Sequence, residues 1–278
     1  MPGTLLATTD LSARSDLALR RAMRLARERG ARLIVAHVVD DAPPPAIAEA
    51  HRDAARATLE RFLESLSDGV ETELIVAFGD PTADIVALVE TRRPDLLVMG
   101  THRTRPFLDA LRETTAQRIV RLTECPVLMV RDRDDHDYAH VIAATDFSPG
   151  SSAAIRLAAD LSPGARITPV HAFHVPYSGL VATTPEGANE VEKSFRIEAV
   201  EQEARWRDRE VLPEGLGPTT IQPGSVLQVL EAEVRRTGAT LVTAGAHGRV
   251  GGIRAILGSV ATDLLRMPPC DVLIARPA

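Results

Sequence analysis

Apolar runs and amphipathic stretches alternate along this chain in an order that predicts strand and helix in turn. LLATT (5–9) and VIAAT (141–145) are short apolar runs ending in polar residues, the pattern of parallel strands buried on both faces. Behind them, Ser12 and Ser148 are placed to cap helices, and Pro149 suits a first helical turn. LALRRAMRLARERG (17–30) spaces its apolar residues for one helix face and stops at Gly30. RLIVAHVV, a long helix near 46–66, ELIVAF, a helix from Pro81 to Arg92, DLLVMG, a further helix and PVLMV complete the first half. Five strands alternating with four helices predict a doubly wound parallel sheet with helices on both faces.

The same pattern then recurs. LLATTDLS (5–12) matches VIAATDFS (141–148), setting Asp10 against Asp146. IVAHVV (34–39) matches ITPVHAF (167–173), DLLVMGTH (95–102) matches TLVTAGAH (240–247), and ECPVLMVR (124–131) matches PCDVLIAR (269–276). The offset is larger at the last pair than at the first, so the second copy carries a net insertion, expected around 173–190. The charged segment RDRDDHDYAH (131–140) reads as a linker. The fold class is therefore α/β, two repeated doubly wound domains over 1–132 and 138–278, each with a five-stranded parallel sheet.

Composition narrows the function classes. Apolar residues make up 45% of the chain but aromatics only 3%, so the cores are built from Ala, Val, Leu and Ile. A net charge of −6 argues against a nucleic-acid partner. The first residues show no basic stretch leading into a long apolar one, and no run is long enough to span a membrane, so no membrane partner is expected. Two isolated cysteines, Cys125 and Cys270, fit small buried hydrophobes in a reducing cytosol. A cytoplasmic location is the expectation.

In an open α/β sheet, ligands bind outside the carboxyl ends of the strands. Those ends carry, in the second copy, Thr145–Asp146, His171–Ala172 and the loop from Gly245 through His247 to Gly248, which runs on to Gly258–Ser259. Exposed glycine amides followed by a helix N-terminus make an anion site, to which Ser259 adds a hydroxyl. The Asp146 carboxylate suits ribose hydroxyls or a divalent cation. Taken alone, glycines after a strand are more often turns, and Asp146 is more often a helix cap or turn former; both together on strand ends make the nucleotide reading equally good.

The frame G-x2-G-x9-G-[S/T], here Gly245, Gly248, Gly258 and Ser259, resembles the ATP-binding motif of universal stress proteins. TDFS, the His171 strand and PCDVLIARP are similar to the same family, as are TDLS, Gly79-Asp80-Pro81, MGTH and CPVLMVR in the first copy. Nearly the whole chain resembles a tandem two-domain member. The resemblance implies a fold of the adenine-nucleotide α-hydrolase type, with Asp146 near ribose and the Ala172 backbone on adenine. Gly245, His247 and Gly248 would approach the phosphates, with Arg249 a neutralising contact, and Gly258, Ser259 and Val260 would complete the shell. It implies ATP, with Mg2+, as the bound species, an unidentified protein partner and a homodimer.

The first copy departs from the frame. Arg103 and Glu113 stand where the second and third glycines belong, and Thr114 keeps the hydroxyl and forms a capping-box pattern with Gln117. Glu113 sets a negative charge at the anion end of its helix. One ATP per chain, in the C-terminal domain, is the expectation. No G-x4-GK[ST] loop is present, His136 and His140 sit in the linker, and His171 and His174 read as packing or backbone contacts. His102 and His247 share one loop position, open to phosphate orientation or a structural hydrogen bond. The charged faces of 51–66 and 193–210 read as solvent faces. The reading is a nucleotide-responsive regulatory module in stress response, with no catalytic residue assigned. The alternatives are a slow ATPase or other nucleotide-dependent enzyme, or a structural interaction protein that binds no nucleotide.

Overall fold

The computed structural model describes residues 3–66, 69–101, 113–131, 137–175, 185–247 and 257–276. The chain divides into two compact units, Met1–His136 and Asp137–Ala278. The first runs β1 (Thr4–Thr8), α1 (Ala13–Arg29), β2 (Arg32–Val39), α2 (Pro45–Leu66), β3 (Thr72–Phe78), α3 (Pro81–Arg92), β4 (Leu96–Gly100), α4 (Thr115–Leu122) and β5 (Val127–Val130). Its strands lie parallel in the order β3-β2-β1-β4-β5. The second runs β6 (His140–Ala144), α5 (Pro149–Leu161), β7 (Arg166–Phe173), α6 (Pro185–Arg209), β8 (Thr220–Pro223), α7 (Val226–Thr237), β9 (Leu241–Gly245), α8 (Ser259–Arg266) and β10 (Asp271–Ala275). Its order, β10-β9-β6-β7-β8, is also parallel and repeats that of the first.

Local chemistry sets the element ends. Ser12 and Ser148 each accept, through the side chain, the amide three residues on, and Pro149 occupies the first turn of α5. Gly30 ends α1 at φ 59°, a conformation that strains any residue with a Cβ. Leu5, Leu6 and Ala7 of β1 and Val141, Ile142 and Ala143 of β6 are buried, as strands covered on both faces must be. Right-handed crossovers place α1 and α2 on one face of the first sheet and α3 and α4 on the other. Accordingly Arg20 lies over the Phe62 ring at 5.2 Å, linking α1 to α2, while α3 and α4 pack together. In the second unit α5 and α6 meet through Trp206, and α7 packs on α8.

Two expectations need correction. The linker does not extend to residue 140: His140 opens β6, and buried Tyr138 donates its hydroxyl to the fully buried carboxylate of Asp271 at 2.6 Å. The helix expected over 193–210 starts at Pro185, so part of the supposed insertion is an extension of α6, and 176–184 lie outside the described residues. Among the described residues no helix is long and apolar enough to cross a membrane.

The burial pattern generates a contrast in stability. Leu19 is fully buried on α1 and Ile197 is 52% exposed on α6. Leu19→Ala is expected to cost about 2–5 kcal/mol in urea unfolding, and Ile197→Ala no more than about 0.5 kcal/mol. Equal losses would contradict the packing described.

Candidate functional site

The polypeptide must leave β6 and enter α5 within four residues, and a set of hydroxyl contacts fixes how it does so. Thr145 continues the ladder by donating its amide to Val170 O at 2.9 Å. Its Oγ1 accepts from the Phe147 amide at 3.0 Å and lies 3.0 Å from Ser151 Oγ. Phe147 takes φ 65°, and Asp146 Oδ1 accepts from the amide and hydroxyl of Ser148 at 3.2 and 2.5 Å. His171 Nδ1 lies 2.8 Å from Thr145 O; a carbonyl only accepts, so Nδ1 carries the proton.

The first unit repeats this loop. Thr9 Oγ1 lies 2.8 Å from Ser15 Oγ and accepts from the Leu11 amide, Leu11 has φ 61°, and Ser12 N donates to Asp10 Oδ1 at 3.0 Å. His37 Nδ1 donates to Thr9 O at 2.8 Å. Asp146 and Asp10 are therefore turn-forming residues in both units, whatever else either does. Burial pushes the Asp10 carboxyl up, but hydrogen bonds from the Ser12 and Ser15 side chains and the Ser12 amide outweigh it and hold the group below its ordinary range.

Across the crevice, β9 ends at Gly245 against the first turn of α5. A Cβ on Gly245 would stand 2.8 Å from Gly150 C, and one on Gly150 would stand 2.9 Å from His247 O. Gly245 thus answers to backbone packing. The chain returns at Gly258, whose amide donates to Ala246 O at 2.8 Å, and Gly258 is the N-cap of α8 with no side-chain cap hydrogen bond.

Between these two loops lies a cavity of about 380 Å³, in the size range of small-molecule sites. Eight residues singled out from the sequence line it: Thr145, Asp146, Ala172, Gly245, His247, Gly258, Ser259 and Val260. Gly248 and Arg249 lie outside the described residues. The sequence reading missed Ala144, Ser151, Val226, Ala244 and Ala261 as lining residues, and His171 lines the cavity as well as making its backbone contact. Val226 opens α7 just past the carboxyl end of β8, and the Gly224–Ser225 turn before it was the available signal. It also borders, with Ser259 and Val260, a second cavity of about 210 Å³.

The walls divide by chemistry. Ala144, Ala172, Val226, Ala244 and Ala261 offer small apolar surface suited to a flat ring. Among the described lining residues Asp146 is the only carboxylate, and α8 starts at Gly258 with no side-chain cap hydrogen bond, the kind of helix end that suits an anion. Among the described residues no group of three or more His, Cys, Asp or Glu is placed to hold a metal. Neither Cys125 nor Cys270 is disulfide-bonded, and burial pushes the Cys125 thiol up to about 12.

At the corresponding helix end the first unit carries its own side-chain cap. The buried triplets Ala116, Ile119, Val120 and Ala261, Leu264, Leu265 align the two helices, which sets Thr114 opposite Ser259 and Gln117 opposite Thr262. Thr114 Oγ1 accepts the Gln117 amide at 3.2 Å, and Gln117 Oε1 accepts the Thr114 amide at 2.8 Å, completing the expected capping box. Glu113 is clamped by Arg121 at 2.9 and 3.0 Å, a contact that lowers its pKa. Arg103 and His102 lie outside the described residues.

The model of the Universal stress protein family matches this chain twice, over residues 1–131 and 137–276. A universal stress protein of Mycolicibacterium smegmatis is 26% identical over 292 residues, covering 98% of this chain and 97% of its own. One from Mycobacterium bovis is 26% identical over 222 residues, 74% of this chain and 69% of its own. Among solved structures, a universal stress protein from Archaeoglobus fulgidus superposes with a TM-score of 0.67 at 17% identity, over 99% of this chain and 98% of its own. At that identity the likeness speaks to the fold.

The two helix ends respond differently to loss of the hydroxyl. Thr114→Ala is expected to cost about 0.5–2 kcal/mol in urea unfolding. Ser259→Ala, which removes no cap, should stay within about 0.5 kcal/mol. A second expectation concerns pH. The folded-state pKa of Asp10 is lowered, so its stabilising contribution is complete above the unfolded value and fades as pH falls through the folded one. Asp10→Asn keeps an acceptor and cannot titrate. Between about pH 6 and pH 3 the natural protein should therefore lose stability relative to the variant; parallel urea midpoints would contradict this.

Proposed function

This chain belongs to the universal stress protein family, and from that premise we propose that its C-terminal unit binds one ATP and serves as a nucleotide-responsive regulatory module. One observation carries the reading. A cavity at the strand ends is bordered by a helix N-terminus whose N-cap, Gly258, has no side-chain cap hydrogen bond, while the matching N-terminus in the other unit carries the Thr114–Gln117 capping box.

In this reading Asp146 meets ribose hydroxyls with its carboxylate oriented by Ser148. The Ala172 backbone reads adenine, and Gly245, Gly258, Ser259 and Val260 surround the phosphates with His247, Gly248 and Arg249. Mg2+ arrives held by the phosphates, since a single lining carboxylate makes no cage for it. The module works in the cytosol, and its nucleotide state is read by an associating protein, a second copy of the chain included.

Titration calorimetry with ATP and Mg2+ should give about one site per chain. At about a hundred times the dissociation constant, ATP should stabilise the unit by roughly 2.7 kcal/mol. Gly258→Glu copies the charge of Glu113, which suits a helix N-terminus but repels a phosphate; it should abolish binding and leave the fold intact. Flat heats with an unmoved melt would refute the reading, and two ATP per chain would refute its asymmetry. Turnover above about one per second, lost in Asp146→Ala, would make the protein an enzyme instead.

A further inference from the structure

Phe147 separates the cavity residue Asp146 from Ser148, the donor to its carboxylate. Phe147 is 5% exposed, and its ring stacks on His171 at 4.4 Å between centroids and 30° between planes and lies 5.5 Å from the Trp206 ring. Trp206 is the only tryptophan in the chain and is fully buried near the end of α6. Its indole Nε1–H donates to Ser152 Oγ at 2.8 Å, and that hydroxyl donates to Ser148 O at 3.1 Å. A single α6 side chain thus reaches the residue after Asp146 through a ring contact and the next residue through a hydroxyl.

The first unit makes the same loop without this apparatus. Leu11, in Phe147's place, adopts φ 61° but is 39% exposed. Asp16 stands where Ser152 does, and a carboxylate cannot relay a donated hydrogen bond onward. The aromatic contacts are therefore not needed to shape the turn. They occur where the turn borders the cavity, and they tie it to α6.

We infer that Phe147, Trp206 and Ser152 are positioning residues that hold the Asp146 carboxylate for the ligand and couple occupancy of the cavity to α6. The inference rests on the nucleotide reading above. A loop locked before binding loses less freedom on binding, so affinity falls when the lock is removed. Coupling is reciprocal, so a ligand that fastens the loop also steadies the helix end that grips it.

The test uses the full chain with ATP and Mg2+. Phe147→Leu installs the residue that the first unit accepts at the same backbone conformation. It should weaken ATP about tenfold at unchanged stoichiometry, as expected for lost preorganisation. In the natural protein ATP should slow amide exchange over 200–209 and shift Trp206 emission; in Phe147→Leu both responses should vanish. Ser152→Ala tests the hydroxyl arm by the same three readings and serves if Phe147→Leu does not fold. Undiminished affinity in the variants, or ATP binding that leaves exchange over 200–209 unchanged, overturns the positioning role while the nucleotide reading stands. A natural protein that binds no ATP overturns both.

Discussion

Both sheets reverse their winding at the first strand of the unit, and in the second unit that reversal creates the space that the candidate site occupies. After β6 the chain steps toward β7; the strand on its other side, β9, sends its loop the opposite way. Two loops that diverge from adjacent strands cannot fill the gap between them. Backbone contact closes the floor of this gap, where Gly245 meets the first turn of α5 too closely for any Cβ. The crevice is thus a product of topology, and side chains only decide what it accepts.

Duplication makes that distinction visible within one molecule. Both units keep the hydroxyl-locked turn, the positive φ after the aspartate and the histidine that donates to the turn's threonine carbonyl. These features belong to the fold. The units differ in what satisfies the last helix. In α4 the first-turn donors are met by the chain's own Thr114 and Gln117, whereas α8 begins on a glycine with no such cap. A helix N-terminus always has donors in excess. Satisfying them internally favours stability, and among the described residues only the first unit does so with a capping box.

The aromatic contacts extend the difference beyond the cavity. An apolar core built of Ala, Val, Leu and Ile needs few aromatics, so three rings gathered beside Asp146 stand out against their scarcity elsewhere. Their effect is stiffness: Phe147 is packed from two sides and Trp206 has its only polar atom satisfied by Ser152.

What the sequence determined by itself is what neighbours in the chain can decide. Alternating apolar runs specified the strands, Ser12 and Ser148 the helix starts, Gly30 a helix stop, Thr114 with Gln117 the capping box, and the repeat two units of one topology. Each of those signals acts over a few residues. The described residues of the glycine frame, Gly245, Gly258 and Ser259, line one cavity at the strand ends. Tertiary structure alone decided the rest. That Gly245 faces Gly150, that Val226 lines the cavity from α7, that the Tyr138 hydroxyl is held by Asp271, and that Trp206 of the charged helix α6 is buried all depend on contacts between distant segments. Such contacts arise only once the sheet has set which loops and helix faces stand side by side, and no local pattern encodes that proximity.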